Sequence, residues 1–256
     1  MNFFRKVTQS SIFYGVCLVC FWQISFDLGW YSDLFFPSPT QIVSFFYNGF
    51  FKDCTLWHAI GISMKRLIIG YVLSVFIGIL LGVLCYVIRQ LGCTIGKIAL
   101  GLQTLPSVCW VPLALLWFGQ TDIAIIFVIC MGSIWGLIIS TSKSIQLVPR
   151  VFIKAARTMG SRGITLWRTV IIPAAFPLTM SAMRQCWAFA WRSLLSAEIY
   201  ISVIGGLGLG QLLHYGREMQ AMDQVVGTIF ILVLLGWSIE YLLFAPVERL
   251  VIRYYS

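Results

Sequence analysis

Six long runs of apolar residues divide the chain, at residues 11–30, 60–88, 98–118, 123–142, 174–204 and 224–245. Each run is long enough to cross the hydrocarbon core of a bilayer, which a helix does in about 20 residues. Charged and polar residues gather between the runs. The pattern therefore predicts an all-α polytopic membrane protein with six transmembrane helices.

Two of the runs carry residues that bear on helix packing. Gly70, Gly78 and Gly82 recur at spacings that place them on one helical face, where a neighbouring helix can approach closely. Pro106 and Pro112 interrupt the third run, and each removes a backbone donor that lipid cannot replace. The prolines indicate either a broken helix beside a pathway or a simple kink, and the sequence does not choose between them.

The N-terminal segment, residues 1–57, is set apart from a core at residues 58–256. Arg5 and Lys6 precede the first apolar run, as in a signal peptide, but no small-residue cleavage site follows, so we expect an uncleaved span. After this span, Ser38 or Thr40 is placed to cap a helix. Residues 41–51 are amphipathic and rich in aromatic side chains, which predicts a helix at the membrane interface.

Residues 150–173, here called the basic stretch, differ from the rest of the chain. They contain five basic residues and no acidic one. The pattern predicts two short helices, at residues 151–159 and 164–172, with a turn at Gly160 and Gly163 and a stop at Pro173. Such a structure is either a docking element for a soluble partner or an ordinary loop that its cations keep on the cytoplasmic side.

Composition supports the membrane assignment. Of the 256 residues, 59% are hydrophobic and 11% are charged, whereas soluble domains carry about 25% charged residues. The net charge of +9 is compatible with nucleic-acid binding, but the cations lie between apolar runs rather than on one soluble face. The eight cysteines have no metal-ligand spacing and lie mostly within apolar runs, so we expect neither a metal site nor a disulfide.

The distribution of charge predicts the topology. If both termini are cytoplasmic, the cytoplasmic segments hold twelve of the 18 basic residues: Arg5, Lys6, Arg89, Lys97, Lys143, Arg150, Lys154, Arg157, Arg162, Arg168, Arg249 and Arg253. An excess of Lys and Arg marks the cytoplasmic side. Residues 211–223 are then an external polar loop, and Pro246 ends the last span.

No arrangement of residues suggests that the chain is an enzyme. It lacks the phosphate-binding Gly-x4-Gly-Lys-Ser/Thr sequence, so we expect it to bind neither ATP nor another cofactor itself. Residues 205–210 are glycine-rich, but no strand precedes them and their spacing is not that of a dinucleotide-binding loop.

The charges within the apolar runs are the candidate functional groups. Arg184, Arg192, Glu198 and Glu240 each cost about 3 kcal/mol to insert into a bilayer, so they should face protein or water. They either form a positive lining for an anionic substrate or tie helices together, through an Arg192–Glu198 pair or an arginine pair with Glu240. Two aromatic residues flank the arginines, Trp187 and Trp191.

The basic stretch resembles the coupling motif of ABC importer permeases, which runs Glu-Ala-Ala, three residues, Gly, nine residues, Ile-x-Leu-Pro. The matching positions here are Lys154, Ala155, Ala156, Gly160, Val170, Ile172 and Pro173. Val170 and Ile172 are conservative replacements, whereas Lys154 stands where the family usually has an acid. The resemblance implies that these residues couple the chain to an ATPase.

Further segments are similar to one branch of that family, the permeases for nitrate, sulfonates, taurine and bicarbonate. They are the Pro-Ser-Pro-Thr-Gln sequence at residues 37–41, the Leu-Pro and Trp-Val-Pro-Leu sequences at residues 105–106 and 110–113, and residues 184–198. This resemblance covers nearly the whole chain after about residue 35, and it implies the type I ABC importer permease fold.

The resemblance also implies a function and its partners. The chain would be the permease subunit of an ATP-driven importer for a small anionic substrate (nitrate, sulfonate or taurine, bicarbonate) or a pyrimidine precursor. Its partners would be a second permease copy, two ATPase subunits that bind ATP and Mg²⁺, an external binding protein and the lipid of a bacterial inner membrane. The alternatives are an ATPase-independent channel or secondary transporter, and a structural subunit of a membrane complex.

Overall fold

The computed structural model describes residues 21–26, 28, 37–203 and 206–255. Throughout these residues the regular structure is helical, with no strand. Residues 21–26 are helical. The α-helices after them are α1 (Pro39–Tyr47), α2 (Thr55–Val87), α3 (Arg89–Gln103), α4 (Val111–Phe118), α5 (Asp122–Gln146), α6 (Arg150–Thr158), α7 (Gly163–Leu166), α8 (Ile172–Tyr200), α9 (Leu209–Glu218), α10 (Met222–Ile239) and α11 (Ala245–Tyr255). Most of the first predicted span lies outside the described residues.

Four described helical segments are long and apolar enough to cross a membrane: Thr55–Val87, Asp122–Gln146, Gly163–Tyr200 and Met222–Val251. A fifth is possible if the bent pair α3 and α4 forms one span. These segments agree with the predicted second, fourth, fifth and sixth spans. The all-helical class is therefore confirmed for the described chain, with four or five candidate spans in it.

The centre of the fold is the packing of α5 against α2 and α8. Glycines on α2 permit the close approach, as their spacing predicted. A Cβ atom at Gly70 would lie 2.7 Å from Ile129 Cγ2, and one at Gly82 would lie 3.0 Å from the Ile138 carbonyl oxygen. Small residues matter here because dispersion contacts, rather than the hydrophobic effect, hold helices together in lipid.

The chain between α3 and α4 is broken rather than kinked. The helix ends at Gln103, Pro106 is extended at φ −57° and ψ 140°, and a 3₁₀ turn (Ser107–Trp110) leads into α4. The two halves are bent by 103°. Proline restricts the residue before it to extended conformations, which explains why the helix ends there.

Two predicted helix ends were wrong. Neither Pro173 nor Pro246 stops its helix, and each instead follows a π-helical turn, Trp167–Ile171 and Glu240–Phe244 respectively. A wider π turn shifts the hydrogen-bond register, so the helix can accommodate a residue that lacks an N–H group. The second helix of the basic stretch therefore runs on into α8 as one segment, Gly163–Tyr200.

The predicted external loop at residues 211–223 was also wrong, because most of it forms α9. Leu209, Leu212 and Leu213 lie on one face of α9 and pack in an apolar cluster with Leu56 and Ile231. The Gln211 side chain accepts a hydrogen bond from the Gly208 N–H and donates one to the Ile201 carbonyl. Burial of this face outweighs the polar residues that suggested a loop.

The predicted cap of α1 is confirmed. The Ser38 hydroxyl accepts a hydrogen bond from the Gln41 N–H at 3.2 Å, and the Gln41 side chain accepts one from the Ser38 N–H at 2.8 Å. This reciprocal arrangement satisfies donors that a helix start otherwise leaves unpaired.

Candidate functional site

The basic stretch forms two helices joined by a tight turn. The α6 helix ends at Thr158, and the Ser161 N–H donates to the Ala156 carbonyl at 2.9 Å. Gly160 and Gly163 have φ angles of +88° and +57°, which L-residues with side chains rarely adopt. The two glycines predicted to form the turn therefore do so.

One side of the basic stretch is fixed to the helix bundle. Ala156 and Leu166 are buried in a cluster with Ile145, Val148 and Ile171, which lie at the end of α5 and the start of the long segment. The turn is consequently held in one orientation rather than hanging from a flexible loop.

The residues that match the coupling motif divide between surface and interior. Lys154, Ala155, Gly160 and Ile172 are exposed, Val170 and Pro173 are half-buried, and Ala156 is buried. The Ala155 side chain is thus free of contacts with the core, whereas Ala156 packs in the buried cluster of this chain. Exposed apolar side chains surround the turn, with Met159 88% and Ile164 85% exposed.

A stripe of small and polar residues runs along the exposed side of α8. Ser181, Gln185, Ala188 and Arg192 recur at three- and four-residue spacings, so they share one helical face. The opposite face is buried and carries Ala182, Cys186, Ala190 and Ala197. A polar face along a membrane-length helix is costly against lipid, so this face requires water or protein beside it.

Arg184 is neutralised within the chain. Its guanidinium forms ion pairs with Glu240 and Glu248, which lie in the π turn before α11 and in α11 itself. The three residues line a cavity of about 440 Å³ together with Ser181, Gln185 and Ala188. Arg184 therefore ties α8 to the last span, which was one of the two interpretations of its charge.

Arg192 has no such partner in the described residues. Its Nε donates to the Ala188 carbonyl at 3.2 Å, and its guanidinium carbon lies 4.9 Å from the centre of the Phe189 ring. The predicted alternative, an Arg192–Glu198 pair, is not formed. Residue 198 is six positions after residue 192, which places the two side chains about 120° apart around the helix.

Glu198 is fully buried at the other end of α8, in a network that the sequence did not reveal. Its carboxylate accepts hydrogen bonds from the Ser63 hydroxyl at 2.8 and 2.9 Å, from Arg66 Nη1 at 2.9 Å and from the Gly210 N–H at 3.0 Å. Arg66 Nε also donates to Asp122 at 2.7 Å. The network joins α2, α5, α8 and the start of α9 at the end of the bundle opposite the basic stretch.

The glycines at residues 208 and 210 are required by this network. A Cβ atom at Gly208 would lie 2.3 Å from Glu198 Oε1, and one at Gly210 would lie 2.6 Å from Glu198 Cβ. The only signal in the sequence was that Arg66 and Glu198 both occur in apolar runs, where a charge needs a counter-charge.

The two candidate tryptophans pack against the protein core. Trp187 is buried and contacts the Tyr71 ring edge to face, with 5.0 Å between the ring centres. Trp191 is half-buried between two apolar clusters and approaches Gly236 of α10. Both residues face the bundle rather than the polar stripe of α8.

The chain is similar to known membrane transport proteins. Residues 74–251 match the family described as the binding-protein-dependent transport system inner membrane component. SsuC of Escherichia coli, a permease protein named for aliphatic sulfonates transport, is 31% identical over 88% of this chain and 84% of its own length. The nitrate import permease protein NrtB of Synechococcus elongatus is 30% identical over 93% of this chain and 88% of its own length. Permease proteins named for taurine in Escherichia coli and for bicarbonate in Synechococcus elongatus are also similar.

A solved structure shares the fold. A chain of the MetNI methionine ABC transporter, in an inward facing conformation, superposes with a TM-score of 0.60 and 21% sequence identity. The match covers 77% of this chain and 94% of that chain. At this identity the likeness concerns the fold alone.

Proposed function

This chain belongs to the binding-protein-dependent inner membrane components, the permease subunits of ABC importers, and on that premise we propose that it conducts small anions into the cytoplasm by alternating access. It is a multi-pass inner membrane protein, and the ATPase of such a transporter is a separate subunit. The candidate substrates are nitrate, sulfonates including taurine, and bicarbonate, all taken from the names of the relatives, and in addition a pyrimidine precursor.

The unpaired charge of Arg192 carries the proposal for an anion. Arg192 lies on the polar stripe of α8 and forms no ion pair in the described chain, whereas the charge of Arg184 is already taken up by Glu240 and Glu248. A cation beside low-dielectric walls attracts anions and raises their local concentration. The stripe with Arg192 is therefore the proposed lining of the path, and Arg184 is a positioning residue that holds α8 against α11.

The proposed topology has six spans with both termini in the cytoplasm of a bacterium. In this proposal the four long described segments and the bent pair α3 and α4 are five of the spans, and the apolar run of the sequence at residues 11–30 is the predicted first span. The basic stretch then lies on the cytoplasmic side, where an ATPase can reach it. The Glu198 network lies towards the external side, beside the proposed entrance.

In the proposed assembly, two copies of this chain meet along their α8 stripes, so that polar faces are removed from lipid. Two ATPase subunits hold ATP and Mg²⁺, and an external binding protein delivers the substrate. Closure of the ATPase pair moves the basic stretch, and the rigid connection of that stretch to α8 carries the movement to the path. The basic stretch must bind the two ATPase states differently, since equal binding would shift nothing.

The alternative of an ATPase-independent channel or secondary transporter is not favoured. Every relative named above is a transport permease protein by name, and the family is described as dependent on a binding protein. The basic stretch with its exposed turn also offers a surface for a separate subunit.

Uptake by reconstituted transporter tests the proposal. The full chain would be incorporated into liposomes with the ATPase that co-purifies with it and with its binding protein. Uptake of nitrate, ethanesulfonate, taurine, bicarbonate and the pyrimidine precursor would be measured with and without ATP. We expect ATP-dependent uptake of at least one of these. Uptake that does not need ATP, or none of any substrate, would contradict the proposed function.

A charge series at Arg192 tests the path. Arg192→Gln should lower kcat/KM for the transported anion by about tenfold or more, since it removes the attracting charge, and Arg192→Lys should restore most of it. Lys97→Gln, at an exposed site on α3 with the same change in net charge, is the matched control and should leave KM unchanged. Equal KM values for wild type and Arg192→Gln would remove Arg192 from the path but leave the importer assignment intact.

A further inference from the structure

Three cations of the basic stretch lie on one edge of α6. Arg150, Lys154 and Arg157 are separated by four and three residues, so their side chains fall within about 60° around the helix. All three line a cavity of about 510 Å³ between α6 and the ends of α2 and α5, together with Tyr86 and Gln146. The cavity is thus a concave surface with a concentrated positive charge.

No carboxylate within the described residues compensates this charge. The basic stretch itself contains no Asp or Glu, and none of the three cations takes part in an ion pair of the described chain. Like charges held close together repel each other, and a counter-charge from outside the chain would relieve that repulsion.

The rest of the α6 surface has a different character. Ala156 and Ile153 face the bundle. Val151, Phe152 and Met159 are 71%, 54% and 88% exposed and lie about 60° to 180° around the helix from the cations. The helix therefore presents an apolar strip with a cationic edge beside it. A surface that covers both must combine an apolar groove with acidic residues along one rim.

A soluble protein fits this surface better than a lipid headgroup does. The turn at Gly160 is held by the Ser161 to Ala156 hydrogen bond and by the burial of Ala156, so its shape is fixed before any partner binds. The exposed apolar side chains continue past the turn to Ile164. A preorganised protrusion of this kind suits a matching groove.

We propose that the edge formed by Arg150, Lys154 and Arg157 binds carboxylate side chains on the rim of the ATPase groove that receives the basic stretch. This inference rests on the proposed function, since it requires an ATPase partner. It adds a condition that the partner must meet: an acidic rim facing α6, with an apolar groove beside it for Met159 and Ile164.

The affinity of the ATPase for charge variants tests the inference. The full chain in nanodiscs of phosphatidylcholine would be titrated with the ATPase that co-purifies with it, and Kd measured by biolayer interferometry. Lys154→Glu should weaken ATPase binding by about tenfold or more. A tenfold rise in salt concentration should weaken ATPase binding by the wild type more than binding by the variant, because the variant has already lost the attraction that salt screens. Lys97→Glu, an exposed site on α3 with the same change in net charge, is the matched control and should leave Kd within about twofold of the wild type.

A compensating change sharpens the test. Cross-linking from position 154 would identify the facing acid on the ATPase, and exchange of that acid for Lys should restore binding to Lys154→Glu while weakening binding to the wild type. Equal effects of Lys154→Glu and Lys97→Glu, or binding that is insensitive to both, would overturn the inference.

Two other outcomes have separate meanings. If Lys154→Glu leaves the ATPase Kd unchanged but abolishes retention on phosphatidylglycerol vesicles, the cationic edge binds lipid and the inference is wrong. If the wild type binds no ATPase at all, the proposed function itself fails.

Discussion

Removal of the charge on Glu198 should destabilise the protein far more than removal of the charge on Asp122, although both carboxylates bind the same guanidinium. Glu198 is fully buried, whereas the Asp122 side chain is 58% exposed. The change Glu198→Gln keeps the shape of the side chain and replaces one acceptor oxygen with a donor NH₂ group.

The structure sets the magnitude of the effect. The carboxylate accepts from Ser63, Arg66 and the Gly210 N–H. Arg66 and the Gly210 N–H donate to different oxygens of the carboxylate. In Glu198→Gln one of these oxygens becomes an NH₂ group, so in either orientation of the amide one of the two donors loses its acceptor. An unsatisfied buried donor costs about 1–3 kcal/mol, and the lost charge-assisted bond adds about 1.5 kcal/mol or more. We therefore expect a loss of about 3 kcal/mol, within the usual range for a broken buried pair.

The control change is Asp122→Asn. In that variant Arg66 still binds Glu198. The ion pair that is lost involves an exposed side chain, and water can replace it, so the expected loss in the free energy of unfolding is below about 1 kcal/mol. The free energy of unfolding would be measured by titrating the protein in dodecyl maltoside micelles with SDS and following tryptophan fluorescence. Limited proteolysis should also cut Glu198→Gln faster near residues 206–208, because the network holds that segment.

The result that would refute this reasoning is specific. If Glu198→Gln unfolds at the wild-type SDS concentration, then Glu198 carries no charge in the folded protein or does not bind Arg66. If both variants lose the same free energy, burial is not what separates the two carboxylates.

Two further substitutions test the turn and the helix packing. Gly160→Asp should insert and fold but give no ATP-driven uptake, since a side chain at φ +88° reshapes the exposed turn, and uptake at the wild-type rate would contradict the role assigned to this turn. Gly70→Ala should lower the free energy of unfolding by about 1–2 kcal/mol in the SDS titration, because its Cβ would lie 2.9 Å from Cβ of the β-branched Ile129. The control Gly61→Ala lies in the same helix with no atom within 4 Å of its Cβ, and a similar loss there would show that helix packing is not the cause.

Local features of the chain were predictable because they depend on neighbouring residues. Apolar runs gave the positions of four long helical segments, and Ser38 with Gln41 gave the start of α1. Gly160 and Gly163 gave the turn, since only glycine takes those φ angles without strain. The family was also predictable, because its coupling motif consists of residues at fixed spacings along the sequence.

The helix ends at proline were not predictable from the same rules. Pro173 and Pro246 are helix breakers by local propensity, yet each is accommodated by a π turn that the surrounding packing stabilises. The helix at α9 is a similar case, because its polar residues suggest a loop and only the apolar cluster around Leu56 favours a helix.

The sequence by itself determined that this protein is a helical membrane protein and that its basic stretch contains a turn formed by glycines. Both features were predictable because hydropathy and backbone preference depend on residues that are close together in the chain. Only the tertiary structure decided which charges meet. Glu198 binds Arg66, 132 residues away, and Arg184 binds Glu240 and Glu248, while Arg192 is left exposed on the polar face of α8. A charged residue within an apolar run predicts that a counter-charge or a polar partner lies beside it. Which residue is that partner depends on which helix faces pack together, and the packing is a property of the whole bundle.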